Sequence, residues 1–324
     1  MTVPDDNPRL ATGIAVGLVA ASIGALYTVY ARWGIARGLQ ASDLTVVRFG
    51  VAGLLTLPVL LAAWWRDRAG LLGRWRLWAA VAALAGTPFG LLMFGALQLA
   101  PASHAAVFPF SAMSVAGLLL SAAVLGDRLT LRKTAGIAVV LVGLVLLSGI
   151  DPATFTRRAA LGDAMFVAAG TLWAGFGIVL RRYRLDPLLA TAVISASALL
   201  TYVPGYLLLV GPARLLAAPP SVLWTEVVVQ GLIAGGGTLL TYATMVRLLG
   251  PARAAVFPAL APGLAALMAW PVLGHVPATA ETAGLLVVMA GLLLAVTGGL
   301  ARTPAVPRPR VEEPAAVAVA APCR

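Results

Sequence analysis

The chain has 324 residues, of which 60% are hydrophobic and only 11% charged, and its formal net charge is +11. Soluble domains carry about a quarter charged residues, so this composition excludes a soluble globular protein and indicates an integral membrane protein. The single cysteine, Cys323, excludes a disulfide framework and a thiolate metal site.

The basic residues lie in short clusters between apolar runs, which is typical of membrane topology and argues against nucleic acid as a partner. The sequence contains no phosphate-binding G-x-x-x-x-G-K-[ST] motif and no cluster of His or Cys residues. We therefore expect no step driven directly by ATP, no metal and no other cofactor.

Ten apolar segments have about the 20 residues that a helix needs to cross the hydrocarbon core of a bilayer. Numbered here as spans 1 to 10, they cover residues 11–31, 44–65, 77–97, 102–125, 134–149, 161–180, 188–210, 224–246, 252–273 and 282–300. Span 1 is expected to be retained, because a cleavable signal peptide has a basic start and one short apolar stretch. The predicted fold is an all-α integral membrane protein with ten transmembrane helices.

The basic residues favour one side of the membrane. With an even number of spans both termini share a side, and that side carries 17 of the 23 Lys and Arg residues, whereas the opposite loops carry 5 and Arg48 lies in span 2. Cytoplasmic segments are enriched in Lys and Arg, so both termini are predicted to be cytoplasmic. The predicted location is the bacterial inner membrane, with the lipid bilayer as a partner.

The sequence repeats itself with a period of 148 residues over its best-matched stretch. Residues 101–109 read PASHAAVFP and residues 251–258 read PARAAVFP, and VLGD at 124–127 matches VLGH at 272–275. One period contains five spans, an odd number, so the two units enter the membrane from opposite sides and are inverted repeats. Such repeats are typical of transporters; a plain duplication without a transport pathway is the alternative.

The repeat predicts four parts: a cytoplasmic N-terminus at 1–10, a first five-helix repeat at 11–150, a second at 151–300, and a disordered cytoplasmic tail at 301–324. Spans 5 and 10 share one stripe of glycines. It is predicted to serve helix packing or contact with a second copy in a homodimer, and it consists of Gly136, Gly143, Gly284 and Gly291.

Several motifs follow one another along the chain. They are Arg48–Phe49 in span 2, LQLAPASHAA at 97–106, LGDRLTLRKTAGIAVVLVGLVLL at 125–147, RLDPLLATA at 184–192 and LLGPARAAVFPALAP at 248–262. In this order they resemble the EamA family of the drug/metabolite transporter superfamily, from about residue 11 to 300. The resemblance implies a ten-helix bundle with a cavity lined by spans 1, 3, 4, 6, 8 and 9, and export of amino acids, amines, drugs or other metabolites. Asp127 stands where Glu is more usual in the family, and the second half has His275 there.

Aromatic side chains recur at equivalent places of spans 1 and 6. Tyr27 falls opposite Trp173 and Tyr30 opposite Phe176, and each pair is spaced three residues apart, on one helix face. The four rings are predicted to line opposite ends of one central pathway and to bind an apolar part of the substrate. Anchoring at the membrane interface is the alternative, above all for Tyr30.

Spans 3 and 8 are interrupted at corresponding midpoints, by Gly86-Thr87-Pro88 and by Gly235-Gly236-Gly237-Thr238. Such sequences free backbone carbonyls, which a membrane tolerates only against protein or a water-filled cavity. Interrupted helices at matching positions point to a binding site, although small residues also permit close helix packing. The substrate-binding candidates on these spans are Phe89, Thr238 and Tyr242.

Prolines in spans 3, 4 and 9 are candidate hinges or gates, because proline removes a helix hydrogen bond. They are Pro88, Pro109, Pro258 and Pro262, and the adjacent Phe108 and Phe257 are further substrate-binding candidates.

His104 and Arg253 occupy equivalent positions at the starts of spans 4 and 9, one at each end of the predicted pathway. A cationic group at each end suits a substrate with a carboxylate, so His104 is assigned to substrate binding and Arg253 to gating. Arg253 is equally explained as one more cytoplasmic basic residue, and His104 as a solvated side chain.

Ionisable residues within the spans are few. Arg48 would cost about 2.5–3.5 kcal/mol at the bilayer centre, so we expect a structural role in which it reaches the outer interface and pairs with Asp43. Asp163, Glu226 and Glu281 are each predicted in a first turn. Since no carboxylate is then expected near mid-span, facilitated or exchange transport is at least as well supported as proton-driven export.

Together these features predict a secondary transporter, not an enzyme, that exports a small-molecule substrate such as an amino acid or a related amphiphilic metabolite. Alternating access would move spans 3, 4, 8 and 9 as gates. One alternative is an integral-membrane enzyme acting on lipid-like substrates, with His104 and Arg32 or Asp43 as its polar groups. A structural or sensor bundle is another.

Overall fold

The described part of the protein is entirely helical. The computed structural model describes residues 7–148, 156–238, 241, 244–245, 248–249, 257–274, 276 and 278–297, and no strand occurs among them. Six helices of 19 to 33 residues are long and apolar enough to cross a membrane, and two shorter apolar helices cover Phe257–Leu273 and Thr279–Ala295. The chain is therefore a multi-pass membrane protein.

The helices of the first half follow the predicted spans. They are α1 (Asn7–Ile35), α2 (Ala41–Gly73), α3 (Trp75–Ala85), α4 (Thr87–Leu99), α5 (Ala102–Leu125) and α6 (Leu131–Ser148). Helix α2 runs beyond span 2 and breaks at Asp67, where φ is −153° and ψ is 66°. The Asp67 carboxylate then accepts a 2.8 Å hydrogen bond from the backbone N–H of Gly70, so it caps the short helical end that follows.

The second half has the same order with one addition. It comprises α7 (Arg157–Tyr183), α8 (Pro187–Leu209), the short α9 (Ala213–Ala217), α10 (Pro220–Glu226) with a π-helical continuation (Val227–Gly237), a 3₁₀ turn (Phe257–Leu260), α11 (Ala261–Leu273) and α12 (Thr279–Thr297). Helix α9 lies where the sequence predicts only a loop. Span 8 begins at Pro220, four residues before its predicted start, because proline fits the first turn of a helix.

Both predicted interruptions are present, in different forms. Span 3 is divided at Gly86, whose φ of −92° and ψ of −137° are not helical, and Pro88 lies in the first turn of α4. In span 8 the backbone winds as a π-helix that includes Gly235, Gly236 and Gly237. π-Helical segments are rare and frequently mark functional sites.

Helices α6 and α12 make a reciprocal contact through the glycine stripe. A Cβ on Gly143 would lie 2.7 Å from the backbone N of Val288, and a Cβ on Gly291 would lie 2.7 Å from the backbone N of Val140. Val140 and Val288 are themselves 148 residues apart, so each half makes the same contact with the other. Because residue numbers rise along α6 as they fall along α12, the two helices are antiparallel. The stripe is thus used for packing within one chain.

Two further helix pairs repeat one contact with exchanged roles. Helix α7 packs on α5 where a Cβ on Gly170 would lie 2.7 Å from the Cβ of Ala112. Helix α1 packs on α11, where the corresponding distance from Gly24 to Ala261 is 3.9 Å. Helices α2 and α8 pack against each other as well, and α6 with α12 completes the scaffold. The packing therefore follows the sequence repeat.

Candidate functional site

Arg48 lies buried in the second turn of α2, with only 8% of its surface exposed. Its guanidinium carbon stands 4.6 Å from the centre of the Tyr27 ring on α1. Its Nη1 is buried and has no hydrogen-bond partner among the described residues. A desolvated cation thus rests on the ring of a predicted substrate-binding residue.

Span 8 adds two buried polar side chains beside α1. Gln230 donates a 2.9 Å hydrogen bond from Nε2 to the carbonyl oxygen of Tyr27, while its Oε1 is left without a partner in the described part of the chain. Glu226, one turn earlier, is fully buried, and neither carboxylate oxygen has a hydrogen-bond partner there. Gly34 makes room for it, since a Cβ on Gly34 would lie 2.5 Å from Oε1 of Glu226.

Aromatic candidates from both halves form one group. The rings of Phe89 and Trp173 have centroids 5.0 Å apart, and those of Trp173 and Phe176 are 5.5 Å apart, edge to face. Tyr27, Phe108 and Trp173 all pack on the apolar cluster that contains Phe89. The structure thus brings five of the predicted substrate-binding side chains, from α1, α4, α5 and α7, into adjoining positions.

His104 is buried and paired, which corrects its interpretation as a solvated cation. Its Nδ1 lies 2.9 Å from Oδ1 of Asp163 on α7, and its ring stacks on Phe108 with centroids 5.1 Å apart. The side chains of His104 and Asp163 are only 9% and 15% exposed. A histidine held in this way ties α5 to α7 through its Nδ1 atom.

The remaining substrate-binding candidates are not gathered with this group. Tyr30 packs against Trp33, with ring centroids 5.9 Å apart. Thr238 donates its hydroxyl to the carbonyl of Ala234 in its own helix. Phe257 is buried against α1, where a Cβ on Gly17 would meet its ring at 2.5 Å. Tyr242 and the gating candidate Arg253 lie outside the described residues.

The candidate hinges differ in setting. Pro109 lies inside α5, whereas Pro258 lies in the 3₁₀ turn before α11. Pro262 stands in the first turn of α11, directly after the 3₁₀ turn, where a proline costs no helix hydrogen bond.

Three expectations for charged residues are also wrong. Asp43 does not pair with Arg48; its carboxylate accepts a 2.7 Å hydrogen bond from the Tyr206 hydroxyl and pairs with Arg214 at 3.2 Å. Arg48 does not reach the surface. Asp163 and Glu226 lie in second turns, because their helices begin at residues 157 and 220, and Glu226 is buried.

No group of three or more His, Cys, Asp or Glu side chains that could hold a metal ion occurs in the part of the chain that the structure describes. Metal-dependent chemistry therefore finds no ligand set among these residues.

The comparisons with known proteins decide the family. The model of the "EamA-like transporter family" matches residues 11–149 and again residues 160–297. The chain belongs to the EamA-like transporter family. Members of this family are membrane transporters of the drug/metabolite transporter superfamily and not enzymes, so this chain is a membrane transporter at that level of description.

One solved structure shares the fold of this EamA-like chain. Described only as "Crystal structure of protein", it is 22% identical, covers 88% of this chain and 97% of its own length, and has a TM-score of 0.59. At this identity it supports the fold alone. No curated protein is significantly similar to the chain.

Asp127, the residue where this EamA-like chain departs from the usual glutamate, joins two helices at their ends. Its carboxylate pairs with Arg181 of α7 at 2.6 Å and accepts a short hydrogen bond from the Ser121 hydroxyl. The hydrogen bond from Arg181 lowers the pKa of Asp127 below its ordinary value, and that from Ser121 adds to the effect. The shorter aspartate therefore still links the end of α5 to α7. His275, its counterpart in the second half, lies outside the described residues.

Proposed function

We propose that this protein is a secondary transporter that exports small amphiphilic metabolites, such as amino acids or related compounds, across the bacterial inner membrane. Two inverted five-helix halves, ten spans in all, would rock about a shared central site by alternating access. Both termini would be cytoplasmic, as the distribution of 17 against 5 basic residues favours.

The observation that carries this proposal is the reciprocal, antiparallel contact of α6 with α12. Gly143 meets Val288 as Gly291 meets Val140, so equivalent helices of the two halves run in opposite directions. A two-fold axis lying in the membrane plane produces this arrangement, and transporters built on such an axis place the substrate at the interface of the repeats.

The position of the aromatic group supports the second step. Tyr27 and Trp173 are equivalent residues of the two halves, and both pack on the apolar cluster that contains Phe89. Rings contributed by both halves at one place suit a substrate with an apolar part. A change in the relation between the halves would then expose that place to one side or the other.

Gating is proposed for spans 3, 4, 8 and 9. Each of these spans contains an irregular backbone segment or an internal proline. They are the break at Gly86 with Pro88, Pro109 inside α5, the π-helix Val227–Gly237 and the 3₁₀ turn at Pro258. Pro262 lies directly after that turn, and Arg253 is retained as a gate residue of span 9. Hinges are commonly a few such positions that absorb changes in φ and ψ.

The alternative of a lipid-modifying enzyme is less well supported, because its candidate polar groups are already bonded within the protein. His104 is paired with Asp163, Asp43 is bonded to Tyr206 and Arg214, and Arg32 donates to the carbonyl of Ala100 at 2.9 Å. Each of these groups is thus bonded to another part of the protein rather than clustered with the others as a reactive set.

The test is a transport assay with the full-length protein in proteoliposomes, using a panel of radiolabelled amino acids, amines and organic acids with and without a pH gradient. We expect saturable movement of at least one amphiphilic compound above that of empty liposomes. Movement of none of them would contradict the proposal.

The pH-gradient arm also examines Glu226. Since its carboxylate is fully buried in span 8, Glu226 is a candidate carrier for proton coupling that the sequence does not predict. Coupled export would respond to the gradient in the wild type and not in Glu226→Gln, whereas facilitated export would be the same in both.

A further inference from the structure

Arg48 is the described arginine whose burial the fold itself does not explain. Arginine inside a membrane span is costly and is normally paired with a carboxylate or with backbone carbonyls. Three ion pairs occur among the described residues, and Arg48 is in none of them. Its nearest predicted partner, Asp43, is occupied by Arg214.

Other arginines of the same protein show what a satisfied guanidinium looks like here. Arg32 donates to two backbone carbonyls, those of Leu97 and Ala100. Arg214 pairs with the carboxylate of Asp43 at 3.2 Å. Arg48 has the Tyr27 ring at 4.6 Å and a buried Nη1 without a hydrogen-bond partner in the described part of the chain. The Tyr27 ring lies over the guanidinium, and Nη1 remains a donor without a partner among the described residues.

We propose that Arg48, which lies over the ring of Tyr27, binds the carboxylate of the transported molecule, and that the substrates of this transporter are amphiphilic carboxylates. This inference rests on the proposed transport function. The planar guanidinium fork fits the two oxygens of a carboxylate, and charge-assisted hydrogen bonds of this kind are the strongest that side chains make. The bound anion also supplies the neutralisation that the fold lacks.

Aromatic rings near Tyr27 are suited to contact the apolar part of the substrate. Tyr27 packs on the same apolar cluster as Phe108 and Trp173, and the Phe89 and Trp173 rings are 5.0 Å apart. We expect a carboxylate on Arg48 to place the attached body across Tyr27 and near these rings, which come from both halves. The substrate is held by a charged end and an apolar end.

This assignment replaces the sequence-based one for the carboxylate. The Nδ1 atom of His104 lies 2.9 Å from Asp163, so this nitrogen already has a partner within the protein. We assign binding of the substrate carboxylate to Arg48, which lies over Tyr27.

The experiment measures binding of three probes with the same phenyl body to the full-length protein in lipid nanodiscs. The probes are 3-phenylpropionate, its neutral amide 3-phenylpropanamide, and the cation 2-phenylethylamine, each radiolabelled and measured by equilibrium dialysis. We expect the acid to bind about tenfold or more tightly than the amide, and the amine to bind least. Equal binding of acid and amide, or no binding of any probe, overturns the inference.

The variants localise the effect. Arg48→Gln should lose the preference for the acid over the amide, and Arg48→Lys should retain part of it. The matched control is Arg76→Gln, since Arg76 also stacks on an aromatic ring, Trp75, at 5.5 Å, but on the exposed surface. A preference that survives in Arg48→Gln overturns the inference. If Arg48→Gln does not fold, Arg48→Lys and the wild-type comparison of acid with amide still decide.

The two proposals fail separately. Transport of neutral or cationic compounds alone would leave the export function standing and remove the carboxylate site. Binding of the acid through Arg48 without transport of any compound would support the carboxylate site and contradict the export function.

Discussion

The face of α1 around Tyr27 and the face of α7 around Trp173 are equivalent in the repeat but differ in chemistry. Tyr27 is accompanied by the cation of Arg48 and bonded through its backbone to Gln230. Trp173 is accompanied by the rings of Phe89 and Phe176. The scaffold is thus duplicated, while the proposed site is charged at one end and apolar at the other.

This difference shows how an internally duplicated transporter can recognise a molecule that has no symmetry of its own. The reciprocal contacts of glycines between α6 and α12 maintain the relation between the halves. The side chains that face the shared site are then free to diverge, because they do not take part in those contacts. An amphiphilic substrate fits the result.

The largest expected effect comes from breaking the duplicated scaffold. Gly143→Leu and Gly291→Leu should each place a side chain against backbone that a Cβ already approaches at 2.7 Å. Overpacking against backbone should cost about 3 kcal/mol, and the two variants should lose similar amounts because their contacts are equivalent. The amount of folded protein and its thermal unfolding midpoint in detergent measure the loss.

Gly177→Leu is the control, since nothing lies within 4 Å of a Cβ at Gly177. A stable Gly143→Leu variant, or a loss of stability in only one of the two variants, would contradict the equivalence of the two glycine contacts.

The two ends of the site come next. Tyr27→Ala and Trp173→Ala should each lower transport roughly tenfold, about 1.4 kcal/mol, without lowering membrane abundance, because each removes one end of the contact with substrate. Initial uptake per mass of reconstituted protein is the measurement, and Trp224→Ala, at a 67% exposed residue, is the control. Unchanged uptake in both variants would remove these residues from the site.

The pairing of His104 with Asp163 gives a smaller effect of another kind. His104→Gln and Asp163→Asn should each lower the free energy of unfolding by about 1–3 kcal/mol, since a nearly buried partner loses its hydrogen bond. The double variant should lose less than the sum of the two. Thermal unfolding measures the stability, and transport should persist. A transport defect in His104→Gln without a loss of stability would return His104 to the substrate site.

The smallest effect is expected at Asp127. Its partner Arg181 is 61% exposed, so Asp127→Asn should cost less than about 1 kcal/mol at neutral pH. Because the folded pKa of Asp127 is lowered, its contribution is present above the ordinary pKa of about 4 and is lost as the pH falls through the folded value. Unfolding midpoints of wild type and variant should converge in acid, and a gap that widens there would contradict this account.

Much of the scaffold could be predicted from sequence because it depends on local patterns. Each of these patterns spans only a short stretch of sequence. Apolar runs mark the helices, Gly86 marks an interruption, and Gly136 belongs to a packing stripe. Family membership follows from the same motifs, and the matched ranges agree with two repeats.

The contacts of the candidate site residues are harder to predict from sequence, because they depend on neighbours that are distant along the chain. The prediction paired Arg48 with Asp43, its neighbour in sequence, whereas Tyr27 and Arg214 are the partners that the fold supplies. The burial of Glu226 was missed for a simpler reason. Span 8 starts at Pro220, and the preference of proline for the first helical turn was a usable signal.

The opposite orientation of the two halves is the claim on which the shared site and its two unlike ends depend. Single cysteines at the exposed, equivalent loop positions Arg128→Cys and Val276→Cys, in a chain carrying Cys323→Ser, test it by labelling intact cells with a membrane-impermeant maleimide. The account predicts that Val276→Cys reacts from outside while Arg128→Cys reacts only after the membrane is opened. Reaction of both from the same side would contradict it.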